Sequence, residues 1–239
     1  MLRFESYSQF LEDMILYCAL KDVDKGFYVD VGANDPTELS VTKIFYDMGW
    51  HGINIEPLPD KCALLDEKRP RDINLCIGLS SEHGKLDMFP HDKDSGFTTF
   101  LEDVAKSVKA PTNNKHTKIM WTLSEVIDKY PPPTADIHFC KIDVEGYERQ
   151  VLEGVKDWRK FRPWIFAMEA TLPGTTIPCH DKWEDILFAN NYIFAFQFSI
   201  NRYYVDVERE HLLLNFAKIN QFVAQNQIVK MNMVPVNLR

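Results

Sequence analysis

Phe27-Tyr28-Val29-Asp30-Val31-Gly32-Ala33-Asn34 is the stretch from which the rest of the chain is read. An apolar-rich run of strand-forming residues meets a glycine, then Asn34-Asp35-Pro36 and a helical pattern. A short buried strand closed by Gly and followed by a helix start is the first half of a βαβ unit. In an open parallel sheet, ligands sit outside the carboxyl ends of the strands. Gly32 is expected to let backbone approach a ligand there, with the Asp30 carboxylate at the same edge.

Working outward, the same alternation recurs. Upstream, Leu11, Met14, Ile15, Cys18 and Ala19 mark one face of a helix over about 6–20, and Ser6 with Gln9 fits a capping box. Downstream, Pro36 suits the first turn of a helix running to about Met48, with Gly49 as its stop. Strands are expected at 52–57, 73–79, 137–142, 164–168, 192–198 and 203–207, with a short edge or antiparallel piece at 85–89. Helices are expected at 59–69, around Leu123, Val126 and Ile127, and over about 147–156 and 181–190. Residues 90–118 lack periodicity and read as a long loop. The tail after about 211 reads as helical and then irregular, a segment suited to assembly into a homo-oligomer. The sum is an α/β chain: a mostly parallel, seven-stranded Rossmann-like sheet with a C-terminal antiparallel hairpin and helices on both faces. Neither a repeat nor a linker divides it, so 1–239 is read as one domain, with its core at about 26–207.

Composition narrows the function. The 239 residues carry a formal net charge of −8, which argues against a general nucleic-acid binder. Five cysteines without a CxxC pair suggest neither a disulfide framework nor a zinc site. No run approaches the ~18 apolar residues of a membrane span, and Met1-Leu2-Arg3-Phe4-Glu5 has no signal-peptide pattern. The expectation is a soluble, cytoplasmic protein.

Four acids fall at four expected strand ends: Asp30, Glu56, Asp143 and Glu169. An acid about 20 residues beyond a glycine turn bonds ribose hydroxyls in dinucleotide folds. Gly32-Ala33-Asn34, however, lacks the further glycines that seat a pyrophosphate. A ribose-bearing cofactor without a pyrophosphate fits better, and S-adenosylmethionine is such a cofactor. Its expected contacts are Asp30, Gly32, Ala33, Asn34, Glu56 and Pro57.

Val-Asp-Val-Gly-Ala-Asn (29–34), Ile-Glu-Pro (55–57) and Lys-Ile-Asp-Val-Glu-Gly-Tyr-Glu (141–148) resemble the FkbM family of S-adenosylmethionine-dependent methyltransferases. Tyr7-Ser8-Gln9 with Glu12-Asp13, Phe45-Tyr46 to Gly49-Trp50, Arg162-Pro163-Trp164, and Glu169-Ala170-Thr171 leading to His180 and Trp183-Glu184 extend the resemblance over roughly 7–207. Where many relatives have Asp-Gly before Leu-Asn-Arg, this chain has Phe198-Ser199 before Ile200-Asn201-Arg202.

The resemblance implies a class I methyltransferase fold and O-methylation, commonly of a sugar in a bacterial surface glycan or of a natural product. It adds Gln9 to the cofactor contacts. Asp143, Glu169 and His180 are the candidate bases, since an acceptor oxygen must lose its proton; His180 reads equally as structural. Lys141 shares a strand face with Asp143, so it is either catalytic or that acid's ion-pair partner. Asp143 with Glu169 suits Mg²⁺, as in the macrocin-type sugar methyltransferases, and the metal stays open. Glu145 and Glu148 read as acids favouring a helix N-terminus. Lys106, Lys109, Lys115, His116 and Lys118 are either a solvated loop or a lid for an anionic, nucleotide- or lipid-linked sugar. A non-catalytic cofactor-binding module of a glycan-assembly complex is the competing function.

Overall fold

A computed structural model describes residues 3–225 and 227–230. Its strands are β1 (Arg3–Ser6), β2 (Phe27–Val31), β3 (His51–Ile55), β4 (Ile73–Leu75), β5 (Gly78–Leu79), β6 (Gly84–Met88), β7 (His116–Trp121), β8 (Ile137–Ile142), β9 (Pro163–Glu169), β10 (Tyr192–Phe198), β11 (Asn201–Asp206) and β12 (Gln227–Lys230). The helices are α1 (Glu12–Ala19), α2 (Lys43–Asp47), α3 (Pro59–Lys68), α4 (Glu102–Ser107), α5 (Leu123–Lys129), α6 (Glu148–Glu153), α7 (Glu184–Ala189), α8 (Leu213–Phe216) and α9 (Ile219–Gln225).

Seven strands form the main sheet in the order β10-β11-β9-β8-β2-β3-β4. The pairs β9/β8, β8/β2, β2/β3 and β3/β4 are parallel, and β11 runs antiparallel to both β9 and β10. β2 and β8 are buried on both faces, which is why they read as near-continuous apolar runs. The side-chain period of two splits them between two cores. Phe27, Val29, Val31, Cys140, Ile142, Phe166 and Met168 face α5 and α6. Tyr28, Phe139, Ile165, Tyr203 and Val205 face α1, α2 and α8. Asp30 and Lys141 share the α1 side by the same count and stand in register with one another.

Four expectations are corrected. The helix expected from Pro36 begins only at Lys43. Buried Arg69 takes the Pro36 carbonyl (3.0 Å) and the Ser40 hydroxyl (3.0 Å), and Leu39 adopts φ 56°, so the segment before α2 is pinned in an irregular path. Ser6 and Gln9 make no capping box: α1 starts at Glu12, and the Ser6 and Ser8 hydroxyls donate to Asp13 Oδ1 at 2.8 and 2.7 Å. The 73–79 strand is two strands, because the chain leaves the main sheet after Leu75 and pairs with β7 from Gly78. Residues 90–118 hold a 3₁₀ turn at Ser95–Phe97, α4 and the start of β7. Only Ala105 of α4 and Met120 of β7 are fully buried, which leaves too little apolar periodicity to read.

Among the described residues no helix is long and apolar enough to cross a membrane. The irregular end of the tail lies outside the described residues, apart from β12, which pairs in parallel with β1.

Candidate active site

The carboxyl ends of β2, β3 and β8 open onto one cleft. After β2 the chain turns sharply: the Gly32 and Ala33 amides donate to the Ile55 carbonyl at 3.0 and 3.2 Å, which closes the turn onto β3. Gly32 has φ +76°, and a Cβ there would lie 1.9 Å from the Asp143 carbonyl oxygen. The glycine is therefore demanded by the backbone following β8, a reason the sequence reading did not supply. Glu56 then locks the turn. Its Oε2 accepts from the Asn34 amide at 2.8 Å and its Oε1 from the Leu58 amide at 2.9 Å. Burial raises the Glu56 pKa, and those two bonds oppose the rise. Gln9, Gly32, Ala33, Asn34, Glu56 and Pro57 all line the cleft.

Asp30 does not. It sits behind the wall with Oδ2 accepting from Thr42 Oγ1 at 3.0 Å and Oδ1 3.5 Å from Lys141 Nζ. Lys141 lines the cleft, donates to the Gly32 carbonyl at 2.6 Å and lies 3.5 Å from Asp143 Oδ2. Burial works against its ammonium, but Asp143, Asp30 and Glu56 together push its pKa up. Lys141 thus ties the ends of β2 and β8 together as a cation and pairs with Asp143.

Beside Lys141 stands a second group. Oxygens of Asp143, Glu145 and Glu169 lie within 4.8 Å of one another. Oε2 of Glu145 and Oε2 of Glu169 are both buried without a hydrogen-bond partner. Burial, and then the neighbouring acids, hold both pKa values well above the carboxylate range. Carboxyls this close favour positive charge beyond that of Lys141, as a proton or as a cation. Glu148 supports the turn from below, accepting from the Val144 and Gly146 amides at 3.3 and 3.1 Å; burial pushes it up to about 7.

A protein-family model described as a methyltransferase FkbM domain matches residues 30–194, from Asp30 of β2 into β10. The chain belongs to the FkbM methyltransferase family. Membership makes it a methyltransferase and implies a class I fold for its mostly parallel sheet. Neither the curated proteins nor the solved structures gave a match.

In this FkbM methyltransferase His180 lies beside Glu184. It opens a 3₁₀ turn, and its Nε2 lies 3.8 Å from Glu184 Oε1, within a cluster completed by Arg202 and Tyr204. No described contact joins it to Asp143 or Glu169. The partner that joins those two is Glu145, which by sequence alone reads as a helix acid. Its position in Asp143-Val144-Glu145-Gly146, with φ 52° before Gly146 at φ 93°, is a turn that returns the chain toward the sheet edge. The basic run divides between ion pairs and a second cleft. Lys106 pairs with Glu102 at 2.8 Å and Lys115 with Asp87 at 2.5 Å. His116 and Lys118 face a second cleft with His91 and Lys93, which meets the first at Ser95 and Thr98.

Proposed function

We propose that this methyltransferase uses S-adenosylmethionine and methylates a carbohydrate hydroxyl held among Asp143, Glu145 and Glu169. The observation that carries the reading is the shared cleft: a glycine turn locked to a strand-end acid lies one strand from a cluster of three carboxyls, two of which, Asp143 and Glu145, line that cleft. Glu56 keeps free lone pairs beyond its two backbone bonds, as ribose hydroxyls require. Pro57, Ile77, Leu79 and Phe100 offer an apolar wall to a base. When bound, S-adenosylmethionine supplies an electrophilic methyl group on a sulfonium. The residues of this chain have to orient the acceptor oxygen and take its proton.

The carboxyl cluster is suited to both tasks in either of two charge states. As a proton-sharing group, Asp143 orients the hydroxyl and a deprotonated carboxyl accepts its proton. As a hard oxygen set, Asp143, Glu145 and Glu169 would hold Mg²⁺, which lowers the pKa of a bound hydroxyl. A non-catalytic module would need no such cluster. The expected acceptor is a saccharide, with mass spectrometry reading the gain of one methyl group. Asp143→Asn is expected to lower turnover by ~10²-fold or more while S-adenosylhomocysteine still binds in titration calorimetry. Chelation separates the two states: activity lost with EDTA and restored by Mg²⁺ supports the metal, and indifference supports the shared proton. Near-normal turnover of Asp143→Asn on a competent saccharide would overturn the assignment.

A further inference from the structure

Glu12, in the first turn of α1, and Asn201, at the start of β11, line the cleft that also holds Gly32, Asn34 and Glu56. Both lie outside the span of the family match. Glu12 is 7% exposed, and its two oxygens accept from neutral donors: Asn201 Nδ2 on Oε1 and the Phe10 amide on Oε2, each at 2.7 Å. No ion pair among the described residues includes it. A buried carboxylate costs free energy unless a charge answers it, and each oxygen keeps a lone pair for one. The cleft wall therefore presents half of an ion pair.

Its place in the fold says what brings the other half. Asn201 pairs in register with Glu169, on the opposite side of the sheet centre from β3 and Glu56. Four strand steps of ~4.8 Å separate β3 from β11. A ligand reaching from Glu56 toward Glu12 must be elongated, with its ribose at one end and a cation near the other. The methyl donor proposed above has that form, because its adenosine and its amino-acid ammonium lie at opposite ends.

We infer that Glu12 receives the α-ammonium of the methyl donor, with Asn201 as the positioning residue that orients its carboxylate. The inference rests on the donor reading of the preceding subsection. Gln9, three residues before Glu12, lines the same cleft.

Titration calorimetry on the full chain tests it with two probes: S-adenosylhomocysteine, which has the α-ammonium, and its des-amino analogue, which lacks it. The wild-type chain is expected to bind the first about tenfold or more tightly. Glu12→Gln should lose most of that preference, weakening S-adenosylhomocysteine by about tenfold and the analogue by less than about twofold. Glu12→Gln with Asn201→Asp returns a carboxylate to the same pair and should recover part of the preference. Equal weakening of both probes in Glu12→Gln would mean a purely structural acid and would overturn the inference. So would equal affinity of the wild-type chain for the two probes, a comparison that stands even if Glu12→Gln does not fold. A wild-type chain that binds neither probe sinks the donor reading itself, whereas equal binding of both leaves that reading intact.

Discussion

Gly32 and Asp143 meet so closely that a methyl group has no place between them. The Asp143 carbonyl oxygen lies 1.9 Å from where a Cβ would stand, and the glycine's φ of +76° is itself unfavourable for side-chain-bearing residues. Relief would require moving backbone at the end of β2 or β8, both of which are buried. Gly32→Ala is expected to cost at least ~2 kcal/mol and to abolish S-adenosylhomocysteine binding. An alanine variant with the wild-type urea midpoint would remove this account. The residue was legible in sequence as a turn glycine, but its reason was not, because Asp143 lies far along the chain. Asp30 shows the converse. Its position at the strand end was readable, yet only the register that sets it beside Lys141 makes it a support behind the cleft wall.

The elements best read in advance were those whose burial follows a simple period: β2, β3, α3, β8 and β9 lie within a residue or two of their expected limits. Those misread owe their form to a partner elsewhere in the chain. The irregular path over 36–42 depends on Arg69, which also lies 3.8 Å from the buried carboxylate of Asp72. Asp72 in turn accepts from the Tyr28 hydroxyl (2.7 Å), the Gly52 amide (2.9 Å) and Asn54 Nδ2 (3.0 Å). Arg69→Met would keep much of the apolar volume, leave Asp72 without its cation and free the Pro36 carbonyl. Breaking such a buried pair typically costs ~3–5 kcal/mol, so the variant should unfold at clearly lower urea than the wild type. Unchanged stability would show that the 36–42 segment is held by something else.

Across the whole molecule, folding gathers acids that are far apart in sequence at one sheet edge: Glu12, Glu56, Asp143, Glu145, Glu148 and Glu169. Burial first, and then mutual repulsion, raises Glu145 and Glu169 well above the carboxylate range and Glu148 to about 7 from an ordinary 4.5. The folded chain therefore keeps protons that the unfolded chain has already released. For a raised carboxyl, stability is fully present below the unfolded pKa and is lost as pH rises through the folded one. For Glu148 that window runs from about 4.5 to about 7. Denaturation midpoints in metal-free buffer are expected to fall between pH 5 and pH 8. Glu148→Gln keeps an oxygen for the Val144 and Gly146 amides and should flatten part of that fall. A fall of the same size in the variant would show that Glu148 does not contribute to it.

The sequence by itself determined the α/β class, the strand ends at which acids cluster, and the glycine turn, because apolar period and turn chemistry are local properties of a chain. The family likeness was legible for the same reason, in short contiguous motifs around Asp30, Glu56 and Asp143. Only the tertiary structure decided which acids meet. Glu145 joins Asp143 and Glu169 through a turn, and His180 lies beside Glu184. Glu12 reaches the cleft through Asn201, 189 residues away. Such meetings depend on strand register and long-range closure, and no window of neighbouring residues carries that information.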